Sequence, residues 1–522
     1  MPRNGTPELP PRDARRWTLI ATILASGIVF LDSTVVNVAL PSIDRQLNTG
    51  LSGLQWIVDG YVLTLAALLI LGGSLGDRYG RRRVMTIGLI LFGIASMVCG
   101  LAPSTSWLIV ARLLQGVGGA LLVPGSLALL RATYPEGEER GRAIGLWSGW
   151  SGITTVIGPL LGGWLVDTFS WRWVFFINLP IVVVAVALML TRVPESRSEG
   201  ASQRLDWLGA ALVTASLGGL AYGLIEGPVV GWGSPLVIAG LVGGAVGLGL
   251  FILAERSVAD PMVPLGLFGS RNFTAANLTT LGVYFALYGT SFFLIIYLQN
   301  VMGFSALIAG MVLAPMSLLL LLLSPLLGRL AGRYGPRLFM TAGPLLCGLG
   351  LLAYTRVGPD SSYWTGLLPA IILFGLGLAG TVAPLTNTVV SSVPEKNSGV
   401  AAAFNNAVSR SAALLAVAGL GVVVSLTFTA ALDQRTADLS LSASAQQTLK
   451  SVAEDPTAGA DLTGLPHPAR EAVNLAYTQA FHWAMIVAAA TAIAGGLVSW
   501  LGIRNAGAEE RQAESEPEEQ PG

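Results

Sequence analysis

The sequence predicts an all-α membrane protein that crosses the bilayer fourteen times. Only 11% of its 522 residues are charged, against about 25% in ordinary soluble domains. Mean hydropathy is +0.66, and apolar runs long enough to cross a bilayer core of about 30 Å recur from Trp17 almost to the end. A soluble domain could not bury so many apolar segments, so a soluble globular class is excluded and no nucleic-acid partner is expected.

Charged, proline and glycine breaks divide the apolar runs into candidate spans. They are 17–40, 53–75, 84–102, 107–130, 142–166, 172–191, 206–226, 233–254, 273–298, 306–328, 338–356, 363–391, 399–430 and 479–503. With a cytoplasmic amino terminus, 22 of the 30 basic residues fall in cytoplasmic segments. Losing or adding one span would reverse every later loop, so this bias supports fourteen spans in the inner (plasma) membrane, with both termini cytoplasmic.

An internal repeat divides these spans into two halves. The segment Gly73–Gly80 after span 2 matches Gly328–Gly335 after span 10, and duplicated halves are a recurrent transporter plan. We therefore predict the following parts: a cytoplasmic segment at 1–16, a six-helix bundle at 17–192, two inserted helices at 206–254, a second six-helix bundle at 273–503 with a long outer loop at 431–478, and a disordered cytoplasmic tail at 506–522.

Three ionisable residues fall inside predicted spans at a similar depth. Asp32, Asp59 and Arg112 each lie some six to eight residues from the outer end of a span, roughly 9–12 Å deep. Charges at such depth normally face a cavity or each other and mark transport pathways. We hypothesise that the two acids are the proton and cation sites and that Arg112 tunes one of them. The alternative is a buried polar network that only fixes helix packing.

Five motifs then resemble one family. They are Leu31–Pro41 in span 1, Gly73–Arg83 after span 2, Arg112–Gly116 in span 4, Gly158–Gly163 in span 5 and Trp171–Pro180 at the start of span 6. In this order they resemble the major facilitator superfamily, specifically its EmrB/QacA-type branch of 14-span drug:proton antiporters. The resemblance implies two six-helix bundles plus two inserted helices, and proton-coupled export of lipophilic, cationic drugs or antibiotics by alternating access.

Two groups of residues are predicted to control conformational change. Around Gly76, Asp77, Arg78, Gly80 and Arg81 the glycines permit a tight turn, and the resemblance implies a latch between the halves. The arginines by themselves are typical of a positive-inside anchor.

The second group is in span 5. Proline interrupts a helix, so Gly158, Pro159, Gly162 and Gly163 indicate a bendable segment. The glycines at 141, 145 and 149 share one face of the same helix and predict close packing on a neighbour.

Aromatic and amide side chains suggest a substrate cavity. The candidates are Trp56, Asn37, Tyr61, Tyr284, Tyr288 and Asn405. Aromatic rings can stack flat lipophilic cargo, although helix packing explains them equally well. Glu226 is either a further acidic site or part of a solvated turn.

Other chemistry is not expected. The two cysteines lie in apolar runs and the two histidines have no metal-ligand spacing, so neither a metal nor a cofactor is predicted, and the chain is not an enzyme. The expected partners are a small lipophilic substrate, protons and the lipid bilayer, with a monomer as the simplest oligomeric state. A proton-coupled importer and a non-transporting membrane sensor remain as rival functions.

Overall fold

The computed structural model describes residues 11–197, 205–258, 261–439, 441–454 and 462–505. The predicted tail at 506–522 and residues 1–10 of the predicted amino-terminal segment lie outside this description. The first half of the chain folds into α1 (Arg12–Leu47), α2 (Gly50–Tyr79), α3 (Arg81–Gly100), α4 (Thr105–Thr133), α5 (Glu138–Thr168), α6 (Trp173–Phe176) and α7 (Asn178–Thr191). The last two follow each other directly and form a single span, Trp173–Thr191.

The remainder of the described chain is also helical. The two inserted helices are α8 (Trp207–Val230) and α9 (Pro235–Ser257). The second half consists of α10 (Arg271–Asn300), α11 (Ala306–Val312), α12 (Ala314–Tyr334), α13 (Pro336–Ala353), α14 (Leu368–Ser391), α15 (Ser398–Thr436), α16 (Ala443–Glu454) and α17 (His467–Gly502). Short 3-10 turns occur at Leu265–Gly269, Tyr354–Arg356, Glu395–Asn397 and Leu462–Gly464, and a π-helical turn, Tyr363–Leu367, leads into α14.

The predicted membrane fold is confirmed. Among the described residues, thirteen helical segments are long and apolar enough to cross a bilayer. The remaining predicted span corresponds to α5, whose 31 residues would extend about 46 Å as a helix. Its glycines, serines and tryptophans make it less apolar than the others, which is why length identifies it better than hydropathy does.

The segment predicted as a long outer loop at 431–478 is largely helical, which corrects the sequence-based boundaries. Helix α15 continues to Thr436 and α17 already begins at His467. Between them α16 buries Ala445, Leu449 and Val452, which are spaced so that they share one helical face. The helices continue beyond the apolar stretches, because the backbone hydrogen bonds of a helix do not require an apolar solvent.

The inserted helices pack beside the junction of the two halves. Helix α2 of the first half contacts α15 of the second, and α8 contacts both of these helices. Helix α9 packs mainly on α8 and exposes much of its surface, including Leu236, Val242 and Leu253. An apolar exposed face is the expected surface of a helix that meets lipid.

The two ends of the molecule differ. We call the face with the α2–α3 and α12–α13 connections the arginine-rich face, and the other the opposite face. Toward the opposite face the halves are joined by hydrogen bonds, from Gln55 Nε2 to Val417 O at 2.6 Å and from Gln299 Nε2 to Val38 O at 2.9 Å. The apolar core is continuous between the halves at this level.

Toward the arginine-rich face, by contrast, α5 borders open space. A Cβ added at any of the glycines at 141, 145 and 149 would have no atom within 4 Å. The prediction that these glycines pack closely on a neighbouring helix is therefore wrong, because the face of α5 that carries them meets no neighbouring atom. The structure is closed at the opposite face and open along α5 toward the arginine-rich face.

Candidate functional site

Asp32 and Arg112 form a buried ion pair inside the first half. The side chain of Asp32 is 0% exposed and that of Arg112 is 1% exposed. Asp32 Oδ2 accepts a hydrogen bond from Arg112 Nη1, and Oδ1 accepts from Gln115 Nε2 at 2.8 Å and from Asn178 Nδ2 at 3.2 Å. The guanidinium also donates from Nε to the Ile57 carbonyl at 3.0 Å. Both oxygens of the carboxylate have donors, which is the condition for keeping such a pair ionised away from water.

Asp59 is buried without any such support. It is 0% exposed, and neither Oδ1 nor Oδ2 has a hydrogen-bond partner. Trp56 and Leu63 lie on the same face of α2, and both meet α8, since Trp56 Nε1 donates to Glu226 Oε1 at 2.8 Å and Leu63 packs against Gly218. Asp59 therefore faces the inserted helix, away from the ion pair.

Glu226 belongs to a helix and not to a solvated turn. It lies in α8 four residues before the helix ends and is half-buried by its contact with Trp56. Nearby, a cavity of about 640 Å³ opens between α2, α8 and α15 at the opposite face. Gln55, which lines this cavity, precedes Asp59 by one helical turn, or about 6 Å along the axis.

A central cavity lies between the halves beside the ion pair. It consists of two adjoining spaces of about 430 and 760 Å³, which share the lining residues Ser33, Asn37, Tyr288 and Arg410. Three of the predicted cavity residues are thus brought together, because Tyr61 lines the first space beside Asn37 and Tyr288. The cavity lining combines aliphatic, aromatic and a few polar side chains from both halves, as small-molecule sites do.

The other three predicted cavity residues occupy packing positions. Trp56 is held against α8, and the ring of Tyr284 packs on that of Tyr288 with centroids 6.1 Å apart. Asn405 lies nearer the arginine-rich face, where its Nδ2 donates to Thr280 Oγ1 at 2.7 Å. Sequence spacing places residues on a helix face, but it does not say which neighbour that face meets.

The glycines predicted in span 5 are contact points between α5 and α1. A Cβ at Gly158 would overlap the side chain of Thr34, and one at Gly162 would approach the Val35 backbone at 3.0–3.1 Å. Small residues let helix backbones approach closely where lipid supplies no hydrophobic drive. These two glycines hold α5 against the helix that carries Asp32.

The neighbouring part of α5 joins the two halves. A Cβ at Gly163 would meet the backbone of Leu307 in α11, and the Pro159 carbonyl lies against Gly310. At the end of α5, Asp167 Oδ2 accepts from Leu307 N at 2.9 Å, a favourable position because helix amino termini attract negative charge. The segment predicted to bend is therefore part of the closed face.

The predicted latch residues form contacts within the first half. Asp77 Oδ1 accepts from Arg81 Nη2 at 2.7 Å and from Nε at 2.9 Å. Gly76 lies beside Arg81, and the Arg78 guanidinium lies over the Tyr79 ring at 5.0 Å. A latch that contacts the second half remains a prediction.

The turn between α2 and α3 depends on its glycine. Gly80 has φ +107°, a conformation that favours glycine, and a Cβ there would collide with the carboxylate of Glu195. That carboxylate accepts from the backbone of Arg82 at 3.0 Å and of Arg83 at 3.2 Å. Glu195, which follows the sixth span, thereby fixes this turn.

Four functional residues were not predicted from the sequence. Gln115 and Asn178 complete the ion-pair network, Asp167 joins the halves, and Arg410 lines the central cavity. A signal existed for three of them. Gln115 is one helical turn from Arg112, and Asn178 lies within the Trp171–Pro180 motif. Arg410 lies within the predicted span 399–430. Asp167 gave no signal, because one acid at the end of a span is ordinary.

Together these features define a multi-pass membrane transporter for small molecules, in which a buried charged network adjoins a cavity between two helical halves. The chain belongs to the Major Facilitator Superfamily, whose family profile matches residues 22–417. No enzymatic family is indicated.

Characterised relatives carry names connected with resistance. The chain is 40% identical to "Multidrug resistance protein Stp" of Mycobacterium tuberculosis (strain CDC 1551 / Oshkosh), over 80% of this chain and 77% of that protein. It is 38% identical to the puromycin resistance protein of Streptomyces alboniger, over 79% and 82%. It is 35% identical to "Tetracenomycin C resistance and export protein" of Streptomyces glaucescens, over 78% and 76%.

Solved structures show the same fold. A bacterial homolog of the human lysosomal transporter Spinster, inward-facing and unoccupied, superposes with a TM-score of 0.68 at 19% identity, covering 94% of this chain and 98% of that one. A D-xylose–proton symporter superposes with a TM-score of 0.59 at 15% identity, covering 94% and 97%. At these identities the likeness concerns the fold.

Proposed function

We propose that the chain is a proton-coupled antiporter that exports lipophilic drugs or antibiotics across the plasma membrane by alternating access. The observation that carries the proton coupling is the carboxylate of Asp59, fully buried and without a hydrogen-bond partner. The names of the relatives, which concern resistance and export, support the direction of transport.

The environment of Asp59 suits a group that exchanges a proton. An ionised carboxylate without a donor is costly inside a protein, and binding a proton removes most of that cost. The cavity at the opposite face ends one helical turn away, at Gln55, so water there would bring protons close. Asp59 is therefore the main proton carrier of the two predicted acids.

Asp32 has a different role in this proposal. Its carboxylate is already neutralised by Arg112 and fully hydrogen-bonded, which favours a fixed charge in this conformation. Because Arg112 also lines the central cavity, cargo that contacts the guanidinium would disturb the pair. Asp32 and Arg112 would thus connect cargo binding to the arrangement of α1 and α4.

The shape of the molecule supports alternating access. The halves meet at the opposite face through Asp167, Gln55 and Gln299, while α5 borders open space at the other end. We assign the arginine-rich face to the cytoplasm because basic residues concentrate in cytoplasmic loops. The structure is then the state that receives cargo from the cell.

The experiment compares proton and drug exchange in proteoliposomes. Adding tetracenomycin C to wild-type vesicles that carry a pH gradient should release protons in exchange for drug. Asp59→Asn should abolish this exchange, since an amide cannot carry a proton. Glu138→Gln, a change at a carboxylate that is 87% exposed, should exchange protons normally.

The rivals give different results. An importer would move protons and compound in the same direction, and a sensor would bind compound without flux. Normal exchange by Asp59→Asn would refute the assignment of the proton site. A susceptibility panel of cells that express wild type or Asp59→Asn would then define the range of compounds.

A further inference from the structure

Arg410 is a buried cation without an acidic partner. It lies within α15, and only 6% of its surface is exposed. Among the described residues no carboxylate lies within 4 Å of it, and its contacts are a long hydrogen bond of 3.4 Å to the Tyr288 hydroxyl and the ring of Phe30 at 5.8 Å. Arginine is a permanent cation in proteins. Its presence at this depth in a membrane protein calls for a function.

The other arginine of the cavity, Arg112, already has an acidic partner and further acceptors. Arg112 is neutralised by Asp32 and donates to Gln115 and Ile57 as well. Arg410 has no comparable set of acceptors, although a guanidinium offers five N–H donors. Most N–H groups of Arg410 are therefore hydrogen-bond donors without an acceptor among the described residues, at the edge of the cavity.

The lining of the central cavity is positive. Arg410 lines both of its spaces and Arg112 lines the first, whereas the described lining contains no aspartate or glutamate. The predicted proton carrier Asp59 faces α8 instead. A cationic cargo, as the sequence suggested, would meet the unneutralised guanidinium of Arg410 and no free acid in the described lining, so the lining argues against it.

The remaining lining indicates the shape of the cargo. Phe30, Tyr288 and Phe292 supply aromatic surface, and Val36 and Val58 supply aliphatic surface. Ser33 and Asn37 add short polar groups that can bond an oxygen-bearing molecule. A guanidinium binds a carboxylate or a similar pair of oxygens through two parallel hydrogen bonds.

We propose that Arg410 recognises the cargo and that the preferred cargo is a flat lipophilic molecule with an ionised acidic oxygen, such as an aromatic carboxylate. The apolar part lies on the aromatic wall and the acidic group faces the guanidinium. This inference rests on the proposed export function and specifies its substrate class.

The test uses three probes that share the anthracene ring and differ in the charge of a small substituent at position 9: anthracene-9-carboxylate, 9-anthracenemethanol and 9-anthracenylmethylammonium. Equilibrium dialysis measures their binding to the full chain in phosphatidylcholine nanodiscs, with empty nanodiscs subtracted. Wild type should bind the carboxylate at least tenfold more tightly than the ammonium probe. Arg410→Gln should lose this preference while the affinity for the alcohol changes less than twofold.

Two further variants separate recognition from folding. Arg410→Lys keeps the charge but loses the planar fork, so it should retain part of the preference for the carboxylate. Arg435→Gln removes an exposed arginine farther along the same helix and should bind all three probes as wild type does. Equal loss of all three probes in Arg410→Gln would assign Arg410 a structural role and overturn the proposal, as would wild-type preference for the ammonium probe.

The outcome is separable from the proton coupling. If wild type exchanges cationic drugs for protons and shows no preference for the carboxylate probe, export stands and the acidic cargo is refuted. If wild type prefers the carboxylate but exchanges no protons for it, cargo recognition stands and the antiport mechanism is refuted.

Discussion

At the scale of single residues, the two membrane acids have opposite surroundings. Asp32 accepts hydrogen bonds from three side chains, one of them the guanidinium of Arg112, whereas Asp59 accepts none. Both residues are aspartates, and the sequence placed them at a similar depth in their spans. What differs is the partner on the next helix, which is why we propose Asp59, and not the ion pair, as the group that changes its protonation.

The first prediction concerns the ion pair. Arg112→Gln should lower the free energy of unfolding by about 3–5 kcal/mol, because it leaves the buried Asp32 without its countercharge. The double variant with Asp32→Asn should recover much of this loss. Thermal unfolding in detergent provides the measurement, and Arg142→Gln is the control, since its pair with Glu138 is exposed and contributes little.

A double variant as unstable as Arg112→Gln alone would contradict this account. It would mean that the guanidinium stabilises the bundle through Ile57 and Gln115 and not through the charge of Asp32.

At the scale of helices, contacts of α5 and α8 determine what can move. The part of α5 at the opposite face packs on α1 and α11 through glycines, while the glycine-bearing face of its other end borders open space. Helix α8 touches both α2 and α15, one from each half. The inserted pair is therefore placed to follow changes between the halves, and its bond to Trp56 lies one turn from Asp59.

A second prediction concerns closure by α5. Gly163→Val should keep the halves apart at the opposite face, because the added carbons would overlap the backbone of α11. Transport should fall at least tenfold, and spin-label distances across this face should lengthen. Gly145→Val in the same helix has open space and should leave both measurements unchanged. Unaltered distances in Gly163→Val would show that α11 yields to the larger side chain.

A third prediction concerns the attachment of the inserted helices. Trp56→Phe removes the donor to Glu226 and should cost about 1.5 kcal/mol of stability, as expected for a hydrogen bond to a charged group. Combined with Glu226→Leu, the losses should be less than additive in thermal unfolding. The control is Trp364→Phe, at a tryptophan that is 72% exposed. Strict additivity would show that the two side chains do not stabilise each other.

At the scale of the whole molecule, the closed end and the open space along α5 are those expected of one state in the proposed transport cycle. The bonds of Gln55, Gln299 and Asp167 would have to break before the opposite face could open. The apolar core is continuous between the halves on that side, and burial of apolar surface favours the closed arrangement. Binding energy from cargo and protons would then shift the balance between the states.

The last prediction concerns this asymmetry. A cysteine at Gly149, where α5 borders open space, should react with a membrane-impermeant maleimide added from the arginine-rich side. Inverted vesicles should be labelled and intact spheroplasts should not. Asp360→Cys, on an exposed connection at the opposite face, should show the reverse pattern. Native Cys99 and Cys347 are 0% exposed and should remain unlabelled.

Labelling of the cysteine at 149 from the Asp360 side would reverse the proposed orientation. If neither introduced cysteine were labelled from either side, the result would contradict the open end that the structure shows.

Much of the fold could be predicted because it depends on local chemistry. The length and polarity of the apolar runs determine where helices cross a bilayer, and the bias of arginines determines the predicted orientation. The repeat around Gly73–Gly80 and Gly328–Gly335 indicated two related halves with two helices between them. Each of these signals is contained in a few consecutive residues.

The site was only partly predictable, because its function depends on which helix faces come together. The sequence marked Asp32, Asp59 and Arg112 as costly charges within spans, but only the packing of α1 against α4, and of α2 against α8, separates the neutralised acid from the unpartnered one. It likewise placed Arg410 in a span, but it did not show that the two spaces of the central cavity meet at this residue. The depth of a side chain in the membrane follows from its position along one helix. Its hydrogen-bond and ion-pair partners follow from the arrangement of several helices, and that arrangement exists only in the folded protein.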